Sequence, residues 1–277
     1  MNSADATATR RSPVVAGQFY TANPQKLRAE VETYLERGSK RTASTLLAMA
    51  PHAGYMYSGK TAGYTLGTSN LRDTIYLLGP NHTGRGAPVS VWSGGDWETP
   101  LGTVPINISA RNNLLASGAF FEADTLAHIN EHSLEVLLPF IQVANPEATI
   151  VPIAIATSNQ ETLAFVGAML GGALQQNSNS SIVVSSDMSH YISADAAKKL
   201  DALALSYVQS VDAQGLLTTV AKNNISMCGV LPMTAALIAC EALGAKRADI
   251  LEYTSSGAVT GDLSQVVGYA GVVIDRP

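Results

Sequence analysis

Charge is scarce in this chain. Of its 277 residues only 14% are Asp, Glu, Lys or Arg, against about 25% in an ordinary soluble domain, while 46% are hydrophobic. A chain this apolar buries enough surface to offset the entropy of ordering, which excludes disorder as its main state. Long apolar runs are lacking as well. The longest, Leu163 to Leu174, has 12 residues and three glycines, short of the roughly 18 that read as a membrane-crossing helix, so no span is expected. No basic block exceeds the Arg10-Arg11 and Lys40-Arg41 pairs and the net charge is −5, which argues against a nucleic-acid partner. The start, MNSADATATRR, carries its arginines at the end with no apolar core behind them. No secretory signal is therefore expected, and a cytoplasmic location follows by default. Two cysteines cannot make a disulfide framework. If Cys228 and Cys240 share a helix they lie about 18 Å apart, beyond disulfide reach, so both are expected as free thiols.

What is present alternates. Asn23 followed by Pro24 is a cap and first-turn proline, and Gly38 closes the segment, which predicts a helix over 24–37. Four continuous apolar runs, Thr45 to Ala50, Thr74 to Gly79, Thr149 to Ala156 and Ser181 to Ser186, read as strands buried on both faces. Helical patterns cover about 160–174, 194–209 and 229–243, Val89 to Ile108 reads as strands and turns, and Val266 to Ile274 as a last strand. Strand and helix alternating in this way predict an α/β fold, with a largely parallel or mixed central sheet covered by helices on both faces. No linker or repeat marks a boundary, so residues 12–277 are expected as one domain and residues 1–11 as a loose polar terminus.

Three of the inferred strands run into a polar cluster that contains histidine: Pro51-His52-Ala53-Gly54, Pro80-Asn81-His82-Thr83-Gly84, and Asp187-Met188-Ser189-His190. Ligands of open α/β sheets bind beyond the carboxyl ends of the strands, so parallel strands would turn all three clusters toward one crevice. Imidazole is the commonest metal ligand, and a metal or catalytic site is the reading favoured for the three together. The remaining histidines lie in His128-Ile129-Asn130-Glu131-His132, a match to H-x-x-E-H, the inverted zinc-protease pattern. That pattern needs both imidazoles on one helical face, and the helix start could fall between them. The bland alternative has Glu131 and His132 at the entrance of a core helix, Ser133 to Phe140, ended by Pro139, and still able to reach the crevice. Cys228 precedes an apolar helix, where a dipole favours thiolate, whereas Cys240 lies inside it as a packing residue.

These motifs resemble the Memo family, whose prokaryotic members are called AmmeMemoRadiSam system protein B and whose fold is similar to class III extradiol ring-cleaving dioxygenases. The likeness runs from Arg11-Ser12-Pro13-Val14-Val15-Ala16-Gly17-Gln18-Phe19-Tyr20 through PHAGYMYSG (51–59), LGPNHTG (78–84), ETPLG (98–102), EHSLEVLLPF (131–140), SSDMSHY (185–191) and MCGVLP (227–232) to VVGYAG (266–271). Thr21 stands where the family pattern has proline. The resemblance implies His52, His82 and Cys228 as metal ligands, with Asp187 and His190 as a further polar pair of the pocket. The dioxygenases hold non-haem Fe(II) with two histidines and a carboxylate. Cysteine in place of that carboxylate raises affinity for softer ions such as Cu(I) and Zn. The expectation is Fe(II), with copper or zinc as alternatives, in a redox or oxygen-dependent enzyme acting on an unidentified small molecule. His190, oriented by Asp187, would serve as acid/base, and His132 and Glu131 as further catalytic candidates. The competing expectations are a non-catalytic module that binds metal or a peptide, as some members of the family are described, and a hydrolase using zinc or a Cys228 nucleophile.

Overall fold

The computed structural model describes residues 9–118 and 120–277. Its first half runs α1 (Pro24–Leu35), β1 (Thr45–Ala50), α2 (Tyr55–Thr68), β2 (Thr74–Pro80), β3 (Val89–Trp92), β4 (Trp97–Thr99), β5 (Gly102–Val104), α3 (Ile108–Ala116) and β6 (Glu122–Asp124). The middle holds α4 (Leu138–Ala144), β7 (Thr149–Ile155), α5 (Gln160–Gln176), β8 (Ser180–Ser185), β9 (His190–Ile192) and α6 (Ala194–Gln209). The chain ends with α7 (Ala213–Lys222), α8 (Val230–Ala242), β10 (Asp249–Ser255), the single turn α9 (Gly257–Thr260) and β11 (Val266–Asp275).

Nine strands form one mixed sheet in the order β10-β11-β1-β8-β2-β7-β3-β6, with β9 paired to β11; β4 and β5 make a separate hairpin. The centre, β1-β8-β2-β7, is parallel throughout, and β11 and β3 join it antiparallel on either side. The continuous apolar runs are these central strands, every residue of β1, β2 and β8 being buried. Side chains alternate across the sheet. Met49, Leu78, Val151 and Val184 point into a core shared with α5, α7 and α8, while Ala48, Leu77, Ile150 and Val183 point into a second core under α1, α2 and α4. An α/β fold with helices on both faces of one sheet is therefore what the chain adopts.

Three local expectations change. Pro139 does not end a helix: Glu135–Leu137 is a 3-10 turn and Pro139 lies in the first turn of α4, where its missing N–H costs nothing. The stretch 55–68, which shows no helical pattern, is α2. Its glycines at 59, 63 and 67 fall on one face, and a Cβ at any of them would collide with Tyr34 or Leu35 of α1, so close packing of two helices overrides poor intrinsic propensity. The terminus is not loose as far as residue 11. Residues 1–8 lie outside the described part, but Arg11 is buried, with its guanidinium on the Glu135 carboxylate at 2.8 Å.

Candidate functional site

The parallel centre delivers β1, β8 and β2 to the same edge, so His52, Asp187 and His82, two residues past their strands, meet there. They lie in a cleft of about 670 Å³ whose walls also carry His132 and His190. The convergence expected from the sequence therefore holds, and His132 joins it. His52, His82 and His132 each present a ring nitrogen within 4.8 Å of the others; their ring centroids are 4.9 to 5.4 Å apart.

The free nitrogens of two of these rings follow from their partners. The Ser185 hydroxyl donates its one hydrogen to the Ser133 carbonyl at 2.6 Å, so in its 2.7 Å contact with His52 Nδ1 it accepts. The His52 proton therefore sits on Nδ1 and Nε2 carries a lone pair. Burial, with the neighbouring His132 and His82, pushes the His52 imidazole well below its ordinary range, so it is neutral. His82 Nδ1–H donates to Glu131 Oε1 at 2.8 Å, and the His82 backbone N–H to Oε2 at 2.5 Å. Burial works to raise the Glu131 carboxyl, but the His82 and Ser133 hydrogen bonds outweigh it and hold it at about 2. An ionised, buried carboxylate thus leaves His82 Nε2 facing the cleft. A carboxylate or hydroxyl on the second nitrogen is how proteins orient metal-binding histidines, so the donor chemistry fits an ion.

The loop that carries Glu131 is itself clamped. Arg11 donates to the carbonyls of His128 and Glu131 and to Glu135. Glu135 also accepts from the Val14 and Val15 N–H groups and the Tyr20 hydroxyl. Phe19, in the same N-terminal strap, lies 4.9 Å from His132, and its carbonyl accepts the Tyr55 N–H at the start of α2. Sequence reasoning missed Arg11, Glu135 and Ser185. The available signal was a glutamate inside the apolar run SLEVLLPF, which in a charge-poor chain calls for a buried partner.

On the other flank the Asp187 Oδ1 accepts the His52 backbone N–H at 2.8 Å, and burial pushes this carboxyl up to about 6. Asp187 does not hold His190 as expected. The His190 Nδ1–H donates to the Ser226 carbonyl at 2.9 Å and its N–H to the Ser226 hydroxyl, which leaves His190 Nε2 bare. Cys228 Sγ stands 3.3 Å from His52 Nε2 and accepts the Asp187 N–H at 3.2 Å, but it is not part of the three-donor group. Its thiol is pushed up by burial. Cys228 does precede α8, two residues before Val230, but burial and the neighbouring Asp187 carboxylate oppose the thiolate expected there. Cys240 is a buried core residue, and both thiols are free.

The H-x-x-E-H pattern does not survive folding. Residues 125–130 are turns, so His128 and His132 share no helical face. His128 is fully buried between Trp92 and Trp97, with Nε2 on the Ser90 carbonyl at 3.3 Å, and burial pushes it down to about 4.

A Memo-like protein family model matches residues 11–273. A MEMO1 family protein of Methanosarcina mazei is 39% identical over 267 residues, covering 96% of this chain and 99% of its own. One of Aquifex aeolicus is also 39% identical, covering 95% and 98%. Among solved structures, an uncharacterized protein of Escherichia coli K12 shares the fold with a TM-score of 0.53 at 14% identity, over 81% of this chain and 99% of that one. No helix among the described residues is long and apolar enough to cross a membrane.

Proposed function

The chain belongs to the Memo-like protein family, and from that premise and the cleft geometry we propose that it is a metal-binding protein with a mononuclear redox centre. The observation that carries the reading is the convergence of His52, His82 and His132 within 4.8 Å, with Nε2 of His52 and of His82 turned inward by Ser185 and Glu131. Glu131 raises the His82 imidazole above its ordinary range, so an ion at its Nε2 takes the place of a proton. Neutral imidazoles suit iron, copper and zinc. Fe(II) is the ion proposed, on the resemblance to the extradiol dioxygenases; three protein donors leave positions open for a substrate on iron and on zinc alike. An ion held this way supplies activation of dioxygen or of an oxygen-bearing substrate. The chain's own part is to bind and orient the substrate over the histidines, and to take or give a proton at His190 Nε2. A cytoplasmic location stays part of this proposal, and both cysteines being free thiols suits a reducing compartment.

A second reading concerns the third donor. Cys228 Sγ, 3.3 Å from His52 Nε2, is near the separation of about 3.5 Å that sulfur and nitrogen ligands take on one tetrahedral ion. The family resemblance also names His52, His82 and Cys228. Elemental analysis of anaerobically purified protein tests both. One ion per chain, lost in His52→Ala and His82→Ala, is the expected result, and full metal content in either variant overturns the centre. Loss in His132→Ala but not Cys228→Ser selects three nitrogens, and the reverse selects the thiolate. Metal without oxygen uptake on any phenol would make the protein a binding module, and stoichiometric zinc would turn the reading toward hydrolysis.

A further inference from the structure

The cleft over the histidines has walls of uneven chemistry. Among the described residues that line it there is no lysine or arginine, and the formal charges are the carboxylates of Asp187 and Asp262. Four aromatic side chains, Phe19, Tyr57, Tyr191 and Tyr269, supply flat faces. At about 670 Å³ the space is that of a small-molecule site.

Two features at the mouth are built rather than incidental. Tyr191 is 72% exposed and holds φ at +56°, a backbone region that a bulky side chain avoids and that persists where the surroundings enforce it. Here β9 is pinned to β11, and the neighbouring His190 is tied through both its N–H and its ring to Ser226. The tyrosine ring therefore stands at the rim beside His190. Beside it, the loop after α9, whose Leu263 carbonyl accepts the Ala194 N–H at 2.9 Å, presents Asp262. Its Oδ1 accepts both the Ser264 N–H at 2.8 Å and the Ser264 hydroxyl at 2.6 Å, bonds that favour the ionised form and leave Oδ2 to a ligand.

We propose that this cleft binds a small arylalkylamine, its ring stacked between the tyrosine faces, its ring end toward the histidines and its alkylammonium group at Asp262. With its charged group at the rim, a phosphorylated or carboxylated ligand finds no lysine or arginine there and meets the Asp262 carboxylate. A cation beside tyrosine faces gains from the ring quadrupole as well as from the carboxylate. The proposal rests on the function proposed above only for the location of the site.

Three phenols that differ in charge alone test it: tyramine, p-cresol and 4-hydroxyphenylacetate, titrated calorimetrically into the full-length chain after chelator treatment. Metal content is read separately on the untreated sample, so failure of the metal centre and failure of this proposal are distinguishable. The expected order is tyramine, then cresol, then the acid, with about tenfold between the extremes. Asp262→Asn should bring tyramine to within about twofold of cresol, a loss of roughly two- to fivefold for an exposed ion pair. Tyr191→Ala should weaken all three about equally, by roughly two- to tenfold for a lost ring contact. Equal or tighter binding of the acid, an unchanged tyramine preference in Asp262→Asn, or no tyramine binding below 10 mM (about the weakest affinity a millimolar-scale site shows) overturns the proposal.

Discussion

The two flanks of the cleft hold their histidines by different means. On the β2 side, His82 leans on Glu131, an ionised and fully buried carboxylate, whose loop is held by Arg11, itself paired with the equally buried Glu135. On the β1 side, the His52 ring leans on the Ser185 hydroxyl, and its backbone on the Asp187 carboxyl, which burial pushes up to about 6. The first flank is a charged network that reaches from the N-terminal strap to the donor atom, whereas in the second a single neutral hydroxyl holds the ring, a local arrangement at the end of two adjacent strands. Buried charges cost several kcal/mol to desolvate unless each is matched. The networked flank therefore holds only when every partner is present, whereas the hydroxyl-held ring depends mainly on the sheet beneath it.

The largest effect follows from breaking the charged flank at its base. Glu135→Ala strips Arg11 of its counter-ion and leaves the Val14, Val15 and Tyr20 donors unmatched. A loss of about 3 to 5 kcal/mol in urea unfolding is expected, and a loss under about 1 kcal/mol would mean that the network is not what holds the strap. The comparison sharpens at the donors themselves. Glu131→Gln should lower metal affinity by about 10- to 100-fold, the usual consequence of removing a carboxylate behind a ligating histidine. Ser185→Ala, which removes one neutral acceptor, should cost only about fivefold. Equal losses by competition with a chromogenic chelator would erase the distinction between the flanks. The smallest effect belongs to the residue next to Arg11. Arg10 meets Glu98 at 3.5 Å with both side chains exposed, and Arg10→Ala should leave the unfolding midpoint within the equivalent of about 0.5 kcal/mol. A larger shift would show that charge at the strap matters through more than Arg11.

The strands that carry the site were legible because a parallel strand buried on both faces reads as an unbroken apolar run. Strand β10 was not legible. At the sheet edge its side chains are all half-buried, so its composition, Asp249 to Ser255, has no apolar signature. Helix α2 was missed for the opposite reason, since its glycines lower local propensity and are favourable only once α1 lies against them. In the site, His52, His82 and His190 could be placed from their position after strands. His132 was a candidate only through its place at the entrance of the 133–140 segment and the EHSLEVLLPF motif; that His128, four residues earlier, is sealed away depends on the tryptophans that receive it.

By itself the sequence determined the α/β class, the delivery of three histidine-bearing loops to one edge, and family membership, all of which rest on local pattern and on many motifs in order. Only the tertiary structure decided which nitrogen of His52 and His82 faces the cleft, that His132 lines it while His128 is sealed between tryptophans, and that His190 answers to Ser226 and not to Asp187. Those outcomes depend on contacts between residues distant in the chain, such as Ser185 with Ser133 and Arg11 with the carbonyls of His128 and Glu131. Hydrogen-bond direction is set by the whole set of partners around a buried group, and no local stretch of sequence contains that set.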